Sequence, residues 1–249
     1  MKRVLGQALS VVTVALLATA FTPACAENDQ SIFIRSALAP STNRQGGRCV
    51  YTSDPTQTGL FLGEVDIAFT NSYTAVLLIG NQLAQRGDSA NTRAESNRAH
   101  INGAVVRVTD PNGGLIGEFT SLATGFVEPQ LNNQASYGPI MVTAIDVPTM
   151  AKIAADVDFE RPKLVAANIK VFGRTVGGVD LESGEFQFPI RVCKGCLVTF
   201  EGYDDKATDV VECKRPADDA AGSTDDLPCR SGQDERTPCL YCLETLCGL

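Results

Sequence analysis

At 249 residues, with 44% hydrophobic and 20% charged residues, the chain has room for one large domain or a domain with an appendage, and its composition excludes disorder throughout. Its formal charge of −8 opposes nucleic acid and anionic head groups as partners. No internal repeat of about 20–50 residues is visible, which argues against a propeller or a solenoid.

The amino terminus reads as an export signal. Lys2 and Arg3 precede an apolar run over residues 11–21, and the small residues Pro23, Ala24, Cys25 and Ala26 follow. The run is shorter than the roughly 20 residues that a membrane span needs. No later segment reaches that length, which speaks against a multi-pass membrane protein. Two cleavage readings compete. Ala24-Cys25-Ala26 fits the small-x-small site of an ordinary signal peptidase, which would cut before Glu27. Thr22-Pro23-Ala24-Cys25 instead resembles a bacterial lipobox, although Thr22 stands where Leu is usual and Pro23 is atypical. A cysteine placed at the end of an export signal favours lipidation of Cys25, hence an outer-membrane lipoprotein of the cell envelope. A periplasmic or secreted soluble protein is the alternative. Residues 1–24 hold two of the 21 basic side chains and none of the 29 acids, so the mature chain carries 19 against 29, a charge of −10.

Strand signals dominate residues 25–192. Residues 31–38 begin Ile32-Phe33-Ile34, and residues 49–51 form a further extended segment after Gly46-Gly47. Val65, Ile67 and Phe69 alternate with Glu64, Asp66 and Ala68, which predicts a strand with its acids toward solvent. Residues 73–79 are almost continuously apolar, as in a central strand. Residues 81–98 are polar and predict a solvated connection with one helical turn. Residues 104–109 and 115–120 flank Asp110-Pro111-Asn112-Gly113, the composition of a hairpin with a type I turn. Residues 140–145 and 164–172 are further strands, and residues 148–155 predict a short helix. The last strand starts at Glu185, with Phe186, Phe188, Ile190 and Val192 on one face. Eight or nine such strands predict an all-β protein. An antiparallel β-sandwich of immunoglobulin-like type fits best, with a jelly roll as the alternative.

From residue 193 onward the chain changes character. Seven of its nine cysteines (Cys193, Cys196, Cys213, Cys229, Cys239, Cys242 and Cys247) fall in the last 57 residues, which hold 12 acids against 6 bases. Apolar residues are too few there for a second core, so sulfur must supply the order. Without Cys25 eight cysteines remain, an even set suited to an oxidising compartment. Seven is odd, and Cys49 is the body's lone cysteine. Complete pairing within one molecule therefore requires a bond from Cys49 to the tail, which staples residues 193–249 onto the body. The partner stays open, since eight cysteines allow 105 pairings.

This layout resembles secreted lipoproteins of Gram-negative bacteria with no assigned activity. The likeness rests on the signal ending at Cys25, on Val192-Cys193-Lys194-Gly195-Cys196-Leu197-Val198, and on Pro228-Cys229-Arg230-Ser231-Gly232-Gln233-Asp234-Glu235 followed by Cys239-Leu240-Tyr241-Cys242. It implies location and architecture, and it carries over no catalytic residue.

Cys193-x-x-Cys196 and Cys239-x-x-Cys242 have the spacing of redox and zinc motifs. The first follows a strand rather than opening a helix, and an exported, even cysteine set favours structural disulfides over either. Gly87-Asp88-Ser89-Ala90 has the look of an esterase nucleophile block. The lone histidine, His100, lacks the Asp-x-x-His context such enzymes use, and it follows Ser89 rather than preceding it. Arg86-Gly87-Asp88 is a three-residue match of low specificity. Asp204, Asp205, Asp209 and Glu212 lack calcium-loop spacing. These residues predict no metal, no cofactor and a non-enzymatic binding or structural module. Its partners are the membrane, through a lipid, and another envelope protein. A secreted carboxylate hydrolase or a CxxC redox protein is the competing class.

Overall fold

A computed structural model describes residues 31–41, 49–87, 94–200, 213 and 228–242. In chain order the strands are β1 (Ile32–Ala37), β2 (Gly63–Asp66), β3 (Tyr73–Asn81), β4 (Ala99–Thr109), β5 (Leu115–Val127) and β6 (Ser136–Ile145). Helix α1 (Val147–Ala154) then leads to β7 (Lys163–Thr175), β8 (Asp180–Glu182), β9 (Phe186–Cys193), β10 (Val198–Thr199) and β11 (Thr237–Pro238). One sheet has the order β1-β3-β6 and is antiparallel. The larger has the order β2-β9-β7-β4-β5, with β8 on β7; it is antiparallel except where β2 runs parallel to β9. β10 and β11 form a separate parallel pair.

One apolar cluster joins the two larger sheets. Ile32, Leu77 and Ile79 of the first meet Val106, Ile169, Phe188 and Ile190 of the second, and Met150 and Ile153 of α1 close one side. Each such side chain contributes about 1.5–3 kcal/mol on burial, so the period-2 pattern of β4, β7 and β9 decides which face turns inward. Phe188, Ile190 and Val192 are buried as the alternation requires. The β4–β5 turn is held by Asp110, whose Oδ1 accepts from Asn112 N (2.7 Å) and Gly114 N (2.9 Å). Gly113 there takes φ +87°, open to glycine at little cost. Helix α1 starts where Asp146 accepts from Thr149 N at 3.0 Å, with Pro148 in its first turn. Among the described residues no helix is long and apolar enough to cross a membrane.

Three expectations need correction. Residues 49–51 are irregular backbone rather than a strand; Val50 O accepts from Ser41 N at 2.8 Å. The connection after β3 has no helical turn among its described residues, and it begins on a buried group. Asn81 is 0% exposed, donating to Asn97 O and Val127 O and accepting from Leu83 N. The alternation around β2 also misleads, because Asp66 and Ala68 are both 0% exposed. The turn that follows Cys193 covers the side that the pattern assigns to water, with Gly195 N and Leu197 N donating to the Asp66 carboxylate.

Candidate functional site

A second carboxy-terminal segment, residues 229–237, pairs along the edge of β2 and forms a polar, partly buried site. Its main chain pairs with β2: Asp66 N donates to Gly232 O (2.9 Å), and Asp234 N donates to Glu64 O (3.0 Å). Its side chains reach the other sheet. Gln233 accepts from Thr74 N (3.1 Å) through Oε1 and donates to Ser72 O (3.2 Å) through Nε2. The segment therefore straps the five-strand path to the opening of β3. Glycine is required at two close approaches. A Cβ on Gly63 would meet the Tyr73 hydroxyl at 2.6 Å, and one on Gly232, which has φ +74°, would meet Phe69 at 2.6 Å.

Cys229 anchors the strap by a disulfide to Cys49, 180 residues away in the chain. Farther along, Thr237 N donates to Leu197 O (2.8 Å), and β11 aligns with β10. Cys239 bonds Cys213, and Cys242 is also disulfide-bonded. The second CxxC pair is thus divided between two bridges, which removes the four-thiolate zinc arrangement as an option.

Asp234 lies at the centre. It adopts φ +59°, and its Oδ1 accepts from Glu64 N at 2.8 Å while its Oδ2 accepts from the Tyr73 hydroxyl at 2.8 Å. Burial raises its pKa above the ordinary carboxylate value, with Glu64 and Glu235 adding repulsion, against the lowering effect of the two donors. Burial likewise pushes the Tyr73 phenol well up, helped by the Asp234 charge. A raised folded pKa gives a contribution fully present below the unfolded value and lost as pH rises through the folded one. Asp234→Asn is expected to gain stability relative to the parent as pH rises from about 4, the ordinary aspartate value, toward neutrality. Urea midpoints measured across that range check this; parallel pH profiles for the two proteins would contradict it. The slot beside Tyr73 and Asp234 has an interior of about 10 Å³, which fits a water molecule and no organic substrate.

On the other side of β2 sits the first CxxC turn. Asp66 carries it: Oδ1 accepts from Ala68 N (2.9 Å) and Gly195 N (2.8 Å), and Oδ2 accepts from Leu197 N (2.9 Å). Gly195 takes φ +76°. Cys193 is buried, Cys196 is exposed, and a disulfide joins them. Glu64 forms an ion pair with Arg191 and places Oε1 3.2 Å from Cys196 Sγ.

Among the described residues, the other sequence candidates do not converge. His100 stacks on Phe126 (4.5 Å between ring centres), and its Nε2 lies 3.4 Å from Thr124 Oγ1. Arg86 N and Gly87 N donate to Glu95 Oε2, whereas Asp88 and Ser89 lie outside the described residues. So do Cys25, Cys247, Asp204, Asp205, Asp209 and Glu212. Among the described residues β5 and β6 each pair on one side only, and between them an open notch of about 500 Å³ is lined by Leu122, Ala123, Thr124, Pro139 and Met141. Leu122 is 86% exposed and Met141 51%. Sequence reasoning passed over Tyr73, Gln233, Asp234 and the inward Asp66; the cysteine and glycines flanking the strap were the signals available. In comparisons with known proteins, no family model matches this chain, and no curated protein matches it either.

Proposed function

We propose that this chain is an exported, non-enzymatic protein of the cell envelope, held to the membrane by a lipid on Cys25, and that it serves as a binding or structural module. The observation that carries the reading is the Cys49–Cys229 bridge, together with its companions in the same tail. Bonds of this kind persist outside the reducing cytosol, as the export signal requires. The strand order supports an immunoglobulin-like β-sandwich as the scaffold. β4, β7 and β9 take the places of strands C, F and G, β1, β3 and β6 those of A, B and E, and β5 lies beside β4 as an added strand does in variable-type domains. The binding half of the proposal rests on the apolar notch between β5 and β6, since exposed apolar surface of this kind marks contact with other molecules.

Mass spectrometry of the mature protein, recovered from membranes of an exporting bacterial host, tests the anchor. The expected amino terminus is an acylated Cys25 that partitions with detergent. A free amino terminus at Glu27 would contradict it.

A further inference from the structure

Beyond that reading, we propose that Glu64, Cys193 and Cys196 form a redox-gated metal site. It is closed while the two sulfurs are bonded; on reduction it offers two thiolates and a carboxylate to a divalent cation of zinc's class. Among the described residues these three are the group whose ligand atoms all lie within 4.8 Å of one another. Two thiolates and one carboxylate are a donor set that suits zinc, with the fourth tetrahedral position left to water. The exposure of Cys196 gives a cation a way in, while Cys193 is buried on the protein side.

What separates this site from an ordinary staple is that its backbone does not depend on the sulfur bond. Cys193 belongs to β9, where it is paired with Asp66 of β2, and its carbonyl accepts from Ile67 N at 2.9 Å. Past Cys193 the turn is held by the Asp66 carboxylate through Gly195 N and Leu197 N, and Leu197 O accepts from Thr237 N of the strap. Asp66 is 0% exposed, so water competes poorly for those bonds. The Cα atoms of the two cysteines stand 6.0 Å apart. With Zn–S bonds of about 2.3 Å, two thiolates on a tetrahedral cation sit about 3.8 Å apart, which small side-chain rotations from this backbone provide. The carboxylate is positioned as firmly: the Glu64 main chain is bonded to Asp234 in both directions, and Arg191 steadies the side chain.

The chemistry balances with a dithiol as reductant. Its thiolate attacks Cys196 Sγ, the exposed sulfur; the Cys193–Cys196 bond breaks and Cys193 leaves as a thiolate. The reductant's second thiol then displaces Cys196 and closes its own disulfide. Two electrons pass to the protein, and two protons end on Cys193 and Cys196. A cation binding there releases those two protons to solvent.

The test uses the full chain, purified oxidised, treated with a dithiol under native conditions and freed of reductant. Alkylation with mass mapping identifies the opened bond, and cadmium titration follows the ultraviolet thiolate-to-metal charge-transfer band. The expected result is opening of Cys193–Cys196 with circular dichroism retained, and one cadmium per chain. The band should vanish in Cys193→Ser/Cys196→Ser, and affinity should fall about tenfold or more in Glu64→Gln, the least that loss of a metal-organising group costs. Should the double-serine protein not fold, the reduced parent blocked at both thiols replaces it. The proposal is overturned if the reduced parent binds no more cadmium than that control, if Glu64→Gln binds as tightly as the parent, or if the bond opens only when the protein unfolds.

Discussion

Replacing Cys49 and Cys229 together by serine is expected to lower the unfolding free energy by about 5 kcal/mol, the chain-entropy value for a loop of this length. The bond joins residues 180 apart, and it holds a strap whose other attachments include hydrogen bonds to Glu64, Asp66, Ser72, Tyr73, Thr74 and Leu197. Without it the unfolded chain regains its freedom, and the strap must find its place on β2 unaided. The loss is comparable to the low end of a whole domain's stability, about 5 kcal/mol, so the variant sits near the folding threshold. Urea denaturation checks both parts of the effect. The midpoint should fall, and the slope should rise because the uncrosslinked unfolded state exposes more surface. An unchanged midpoint would show that the bridge adds nothing to a strap already secured by hydrogen bonds.

Asp66→Ala is expected to cost about 3–5 kcal/mol, as three backbone donors lose their acceptor at once and each orphaned group costs about 1–3 kcal/mol with partial relief from water. The groups are Ala68 N, Gly195 N and Leu197 N, and the carboxylate that serves them is wholly enclosed. Asp66→Asn should fall between the two, because its amide keeps one oxygen acceptor and turns two N–H groups toward existing donors. The disulfide at Cys193–Cys196 should still form in both variants, since the cysteines are neighbours in sequence. Denaturation midpoints that leave Asp66→Ala within 1 kcal/mol of the parent, the usual range of a surface change being about 0.5 kcal/mol, would mean that the carboxylate is not the turn's support.

How far the sequence could be read depended on whether a signal was local. The hairpin around Asp110-Pro111-Asn112-Gly113 and the short helix were legible because the residues that shape them are the residues that form them. Strand β9 was legible because four alternating apolar side chains need a single core. Asp66 was not. An alternating strand edged by acids looks the same whether water or another segment covers its outer face, and the cover here arrives from the turn at Gly195 and Leu197, 129 and 131 positions later. Cysteine parity required a bond between Cys49 and the tail, yet nothing local distinguished Cys229 from six other thiols. Asp234 and Tyr73 were invisible for the same reason. A polar turn residue and an apolar-strand tyrosine declare no link until the strap is in place.

The carboxy-terminal strap is part of the β body and is welded to it through position 49. Peptide mapping of the protein recovered from an exporting host, without reduction and after free thiols are blocked, tests this. The expected product is one cross-linked peptide pair containing Cys49 and Cys229. A blocked Cys49, or a Cys49 joined to any other cysteine, would contradict it.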